Sequence, residues 1–270
     1  MKRRGLYLSA ALIFTFAACS SNDNTPVDPV DDTPVVIDKS ANLLATGASA
    51  NDLLSNTNFD KLLIEIAFVE DFRPTSEAMD NFENYLRERT FKTNIDVEYK
   101  SLPPTGETEL TLQQVAELES ENRSAYNDGS TLAIYIFFAD APAEGDDLSE
   151  GLVTLGAVYR NTSMVIYEKT VKTLAGRSLT ITTADVETAV LNHEFGHLFG
   201  LVNLGTPSVN AHEDAEAQNH CNVDGCLMRA ELEFGDGIMS MLEKRASRGA
   251  AVVPDIDAEC ILDLQNNGGR

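Results

Sequence analysis

The chain has 270 residues, 43% of them hydrophobic, which is enough to bury a sizeable core. Its 43 Asp and Glu outnumber 20 Lys and Arg, giving a formal charge of −23. Such a surface repels phosphate backbones and anionic headgroups, so nucleic-acid binding is not expected. No internal repeat is present, and no tract beyond the first twenty residues is long and apolar enough to span a bilayer.

The chain opens MKRRGLYLSAALIFTFAACSSNDN. Lys2, Arg3 and Arg4 precede an apolar run (6–18) too short for a stable membrane span, so it reads as an export signal. Phe16-Ala17-Ala18-Cys19 resembles the lipobox of bacterial lipoproteins. That resemblance implies removal of residues 1–18, lipidation of Cys19, and anchoring in the cell envelope as an outer-membrane lipoprotein facing the periplasm or the cell surface. The alternative is an ordinary signal peptide cut near Ala18. Losing residues 1–18 removes three bases and no acid, which takes the charge to −26. Residues 19–58 are rich in Asp, Asn, Ser, Thr and Pro and are expected to form a flexible tether with a short helix at Ala50–Leu54. One domain is expected over 59–270, with an upper subdomain (59–200) and a lower one (201–270).

LLIEIAFVEDF (62–72) reads as a strand. PTSEAMDNFENYLRERT (74–90) reads as an amphipathic helix carrying Met79, Phe82, Tyr85 and Leu86 on one face. NIDVEYKSL (94–102) alternates as a second strand and ends at Pro103-Pro104. TLQQVAELESENRSAY (111–126) is a second helix, with Leu112, Val115 and Leu118 inward and Thr111 and Gln114 at capping-box spacing. After the turn Asn127-Asp128-Gly129, TLAIYIFFA (131–139) is the most apolar strand. This order predicts crossover units and an α/β fold built on a mostly parallel twisted sheet. The acidic loop 140–151 lacks regular ligand spacing, and a solvated loop is favoured over a calcium site. GLVTLGAVYR (151–160) and SMVIYEK (163–169) supply two short strands, one of them an edge strand against which an extended peptide can pair.

TTADVETAVLNHEFGHLFG (182–200) is a helix with a Thr182–Asp185 cap and Gly200 to end it. Within it, His193 and His197 are four apart, so both rings project from one face and can share a tetrahedral zinc ion. Glu194 is rotated one position away, where it can take a proton without binding the metal. The four histidines, at 193, 197, 212 and 220, all fall within 28 residues. A third ligand is expected beyond Gly200. Asn203 is nearest in register but is a weak neutral donor, leaving His212, Glu213, Asp214, Glu216 and His220 as candidates.

HEFGHLFG (193–200) resembles the first part of the long zinc motif of metzincins. HCNVDGCLM (220–228) is similar to its continuation in archaemetzincins, where the third histidine is followed at once by a cysteine, then four residues, a second cysteine, one residue and a methionine. The two halves are separated here by an extra loop, 201–219. The resemblance implies a metzincin-like fold with an edge strand, an active-site helix and a small C-terminal subdomain. It implies that His193, His197 and His220 bind catalytic Zn2+, that Glu194 is the general base, and that Met228 lies in a tight turn beneath the metal. A further Cys-x-x-Cys pair, which in that family helps hold a structural zinc, is absent, and only Cys260 lies downstream. A four-cysteine site therefore cannot form. Cys221 and Cys226 are expected to make a small disulfide, with Cys260 free or paired with one of them. His212-Glu213-Asp214 are open to support a zinc-bound histidine or to form a calcium or substrate-contact loop.

These readings imply a monomeric zinc endopeptidase acting on protein or peptide substrates. The competing expectation is a surface-binding lipoprotein with zinc but no turnover, its open coordination position blocked by another side chain. The remaining stretches, AELEFGDGIMSMLEKRASRGA (230–250) and IDAECILDLQNN (256–267), read as packing elements of the lower subdomain, the second ending in a helix.

Overall fold

The computed structural model describes residues 37–233 and 237–270. The signal segment, Cys19 and the start of the expected tether lie outside the described residues. Strands β1 (Lys61–Val69), β2 (Asn94–Leu102) and β3 (Thr131–Phe138) alternate with helices α2 (Ser76–Arg89) and α3 (Leu112–Asn122). Strands β4 (Gly156–Arg160) and β5 (Ser163–Ile166) complete a sheet of order β2-β1-β3-β5-β4. Four strands run parallel, and β4 pairs antiparallel with β5 at the edge.

Alternation along the central strands sorts their side chains between two layers. Leu62, Ile64 and Ile66 of β1 and Leu132, Ile134 and Ile136 of β3 share a core with Phe82 and Leu86 of α2 and Val190 and Phe195 of α5 (Thr183–Leu198). Ala67, Val69, Tyr135 and Phe137 face the opposite way, against Val115 of α3. Both faces are covered, which is why β3 reads as a nearly unbroken apolar run. Leu112 departs from its expected inward position: it is 44% exposed. Across the α3 face, Glu119 takes Arg123 at 2.7 Å and Arg160 at 2.7 Å, tying the end of β4 to α3.

Two local readings change. The strand expected over 151–160 is shortened to β4, because Leu152 pairs back on Asp147 and Asp146 accepts from Thr154 N. In the same acidic loop, Asp147 Oδ1 accepts from Ser149 N and Glu150 N. Both carboxylates thus accept from backbone N–H groups of their own loop. The strand expected over 163–169 ends at Ile166, and helix α4 (Glu168–Ala175) follows at once, burying Val171 and Leu174.

The larger change concerns residues 37–58, expected within the tether. A short helix α1 (Ala50–Leu54) does form, but Leu53 and Leu54 are completely buried in the α2–α5 core. Asn42 Nδ2 donates to Asn127 Oδ1 and to the carbonyl of Ala133, while Asn161 Nδ2 donates to the carbonyl of Ala41. Lys92 Nζ donates to the carbonyl of Ser55 at 2.7 Å. Buried amides saturated by chain partners and two core leucines outweigh the polar composition of the arm. Residues 37–270 accordingly form one compact unit. Beyond α5, helices α6 (Gly237–Ser247) and α7 (Ala258–Asn266) bury Ile238, Leu242, Cys260 and Leu264. Among the described residues no helix is long and apolar enough to cross a membrane.

If the arm is part of the core, Leu54→Ala destabilises the protein by about 2–5 kcal/mol, the usual cost of such a truncation in a packed interior. Urea denaturation of the two proteins measures it. An unchanged midpoint would mean that the arm does not contribute to the fold.

Candidate metal centre

Helix α5 is anchored at its start by a reciprocal cap: Asp185 N donates to Thr182 Oγ1 at 3.1 Å, and Thr182 N donates to Asp185 Oδ2 at 2.8 Å. Fourteen of its residues, from Ala184 to Leu198 with only Asp185 excepted, are buried. Phe195 meets Phe82 of α2 edge-on at 5.2 Å. A helix packed on all sides holds its polar groups in register, and the paired histidines inherit that rigidity. Gly200, with φ 72°, ends the helical run as expected, and the chain turns away.

The loop beyond returns His220 to the pair. His193 and His197 have ring centroids 4.8 Å apart, and the His220 ring lies 5.4 Å from the first and 5.1 Å from the second. All three side chains are buried. His193 Nδ1 contacts the carbonyl of Leu227 at 2.8 Å, and His220 Nδ1 contacts the carbonyl of Gln218 at 2.9 Å. A carbonyl only accepts, so both Nδ1 atoms carry the proton and both Nε2 lone pairs face inward. His193 Nε2 and His197 Nε2 are 3.1 Å apart. Donors each about 2.0–2.1 Å from a tetrahedral ion stand about 3.3 Å from one another, so the spacing fits a shared metal. Burial holds His197 far below the usual imidazole range, at about 4, which keeps it neutral and ready as a ligand.

Sequence reasoning missed one member. Glu233, in the turn after a 3-10 turn (Ala230–Leu232), places Oε2 2.7 Å from His220 Nε2 and 3.7 Å from both His193 Nε2 and His197 Nε2. A single glutamate among 43 acidic residues has no periodicity or motif to mark it. Burial alone would raise its pKa, but its contacts with the imidazoles, closest at His220, outweigh burial and hold Glu233 ionised.

Glu194 is fully buried, and neither carboxylate oxygen has a hydrogen-bond partner. Burial first, then the neighbouring charge of Glu233, pushes its pKa well above the carboxylate range. Such a group lacks a compensating positive charge, and a divalent cation among the imidazoles would supply one. Gly156 of β4 lies against it: a Cβ there would sit 2.6 Å from Glu194 Cγ. Met228 is completely buried against α5, where a Cβ on Gly196 would fall 2.2 Å from its Sδ. The methionine thus packs under the helix at the one residue between the histidines that leaves room for it.

Asn203 and His212 do not join this group. Asn203 Nδ2 donates to Glu213 Oε2 at 2.8 Å, and Glu213 Oε1 accepts from Asn219 N. His212 instead enters a second cluster, where His212, Cys221, Asp257 and Cys260 offer ligand atoms within 4.8 Å of one another. His212 Nδ1 lies 3.3 Å from Cys221 Sγ and 3.9 Å from Cys260 Sγ, and Cys226 Sγ lies 3.7 Å from Cys260 Sγ. The expected Cys221–Cys226 disulfide is not formed: Cys221, Cys226 and Cys260 are all free thiols, and the sulfur nearest Cys226 is that of Cys260 rather than the expected partner's. Sulfurs each about 2.3 Å from a tetrahedral ion stand about 3.8 Å apart, close to the spacing seen. Met228 N and Asp257 N donate to Cys226 Sγ, and Val223 N donates to Cys221 Sγ. Asp263 Oδ2 contacts His212 Nε2 at 2.7 Å and so orients the ring. Contacts with the other two sulfurs and with His212 draw Cys221 toward thiolate, whereas Cys226, beside that charge, is pushed up to about 12.

The two clusters share one stretch of chain. His220 precedes Cys221 directly, Leu227 follows Cys226, and Cys221 N donates to the carbonyl of Met228 at 2.7 Å. Whatever fixes the sulfurs therefore also fixes the third imidazole and the acceptor of His193. If the sulfur cluster holds a metal, a chelator lowers the stability of the wild type by about 4 kcal/mol when free metal had stood at about a thousand times its dissociation constant. Cys260→Ser should lose a large part of that shift. Equal chelator-induced shifts in melting for the two proteins would exclude the cluster as a metal site.

No protein-family model matches the chain, and no curated protein matches it. Among solved structures, it is distantly similar to the crystal structure of archaemetzincin from Methanopyrus kandleri. The identity is 17% and the TM-score 0.48, with 78% of this chain and 96% of that chain covered.

Proposed function

We propose that this chain is a zinc-dependent endopeptidase that hydrolyses peptide bonds of protein or peptide substrates without a covalent enzyme intermediate. The observation that carries the reading is the convergence of the Nε2 faces of His193, His197 and His220 beside the unpartnered carboxylate of Glu194. Zinc at this place would polarise the scissile carbonyl and lower the pKa of water toward neutrality. His193 and His220, their tautomers set by Leu227 and Gln218, would hold it with His197. Glu194 would accept a proton from the attacking water and return it to the leaving amine. Its burial excludes bulk water, so the proton is kept between the two.

The substrate would lie in a cavity of about 590 Å3 bordered by Ala157 and Val158 of β4, His197, His220 and Gln218. As a sheet edge, β4 has backbone groups available for pairing with an extended peptide, and pairing would bring the scissile bond past the imidazoles. The sulfur cluster would take a structural zinc through Cys221, Cys226, Cys260 and His212, bracing the segment that delivers His220. Export and lipidation at Cys19 complete the reading and rest on residues 1–19 alone; the formal charge of −23 disfavours nucleic-acid partners.

One observation favours a second reading, a zinc-stabilised binding protein without turnover: Glu233 stands on the face of the imidazoles where a substrate would approach. Glu194→Gln separates the two. In the peptidase, this change leaves zinc content unaltered and lowers cleavage of a peptide library by about 10²–10⁴-fold, the range of general-base catalysis. Wild-type cleavage rates in that variant would remove Glu194 from the chemistry, and a wild type that binds zinc yet cleaves nothing would establish the binding protein.

A further inference from the structure

Glu233 touches the imidazoles on an informative side. A carboxylate that only supports a metal-binding histidine contacts the nitrogen turned away from the ion. Here that role is filled on Nδ1, by the carbonyl of Leu227 for His193 and by that of Gln218 for His220. Glu233 instead reaches the Nε2 atoms of all three rings, at 2.7, 3.7 and 3.7 Å, with His193 Nε2 and His197 Nε2 themselves 3.1 Å apart. These separations bracket the roughly 3.3 Å edge expected between donors around a tetrahedral ion.

The carboxylate is also held in place. The Glu233 carbonyl accepts from Leu155 N at 3.1 Å, which docks the residue to the stretch just before β4, on the wall of the substrate cavity. Its side chain is only 14% exposed. Resting on the three-histidine reading above, we infer that Glu233 is a fourth, displaceable ligand that completes the coordination shell and holds the centre in a closed resting form. In that form the position which Glu194 must serve is taken by a side chain of the same protein. Turnover then requires the carboxylate to move aside, and any substrate or anion competes with it for one position. The binding protein and the peptidase become two states of one site, distinguished by where Glu233 lies.

The test uses the full chain loaded with Co2+, whose visible spectrum reports coordination, and azide as a small anion probing the fourth position. Spectral changes absent from His193→Ala belong to the histidine centre rather than to the sulfur cluster. Azide should bind the wild type weakly and should bind both Glu233→Gln and Glu233→Ala at least about tenfold more tightly. Release of the histidine-bound metal to a chelator should be at least about tenfold faster in both variants. The isosteric Gln variant, with its melting curve checked against wild type, guards against misfolding of the Ala variant. Equal azide affinity in wild type and variants, with His193-dependent cobalt uptake intact, overturns the fourth ligand and leaves the three-histidine centre standing. Absence of any His193-dependent uptake overturns both.

Discussion

A single contact, from Nδ1 of His193 to the carbonyl of Leu227, joins the two parts of the chain on which the site depends. It links a helix that the core has immobilised to a loop that comes back more than thirty residues later. It also decides chemistry, because it commits the proton to Nδ1 and leaves Nε2 as a donor pointing inward. Around it the loop is drawn tight: Cys221 N reaches the Met228 carbonyl, and Met228 lies under Gly196.

The charge distribution follows from the same constraint. Two carboxylates, Glu194 and Glu233, are brought into a buried space with three imidazoles, and among the described residues no arginine or lysine joins that cluster. Burying anions without a cation is costly, and the two carboxylates respond differently. Glu233 lies against the imidazoles and stays ionised, while Glu194, whose oxygens have no hydrogen-bond partner, is driven toward its neutral form. A divalent ion reverses that penalty for both. The neighbouring sulfur cluster repeats the pattern, with one thiol drawn toward thiolate and a second resisting ionisation beside it.

Support for the site reaches well into the fold. The edge strand that borders the cavity is tied to α3 through Arg160 and the buried Glu119. The arm ahead of β1 fills part of the core over α2 and α5 with Leu53 and Leu54, and so backs the helix that carries the histidines. The inserted loop 201–219 is not an idle spacer. It delivers His212 to the sulfurs, Gln218 to the ring of His220, and Glu213 to hold Asn203 and Asn219.

What the sequence determined by itself is what local geometry dictates. The strands at β1, β2 and β3 show in their apolar patterns, and α2, α3 and α5 show in their periodicity and caps. Four-residue spacing placed His193 and His197 on one side of α5 because a helix has 3.6 residues per turn. The clustering of histidines left His212 and His220 among several candidates for a third ligand, and the resemblance of residues 220–228 to archaemetzincins is what singled out His220. The tertiary structure decided everything that depends on chain closure. It put Glu233 on the imidazoles, His212 beside the thiols, and Asn42, Leu53 and Leu54 of the arm into the interior. Neither a lone glutamate in an acidic chain nor a polar arm with two adjacent leucines has a period to read. Their partners lie up to 216 residues away, as Asn51 and Asn267 do, and only the folded chain sets such distances.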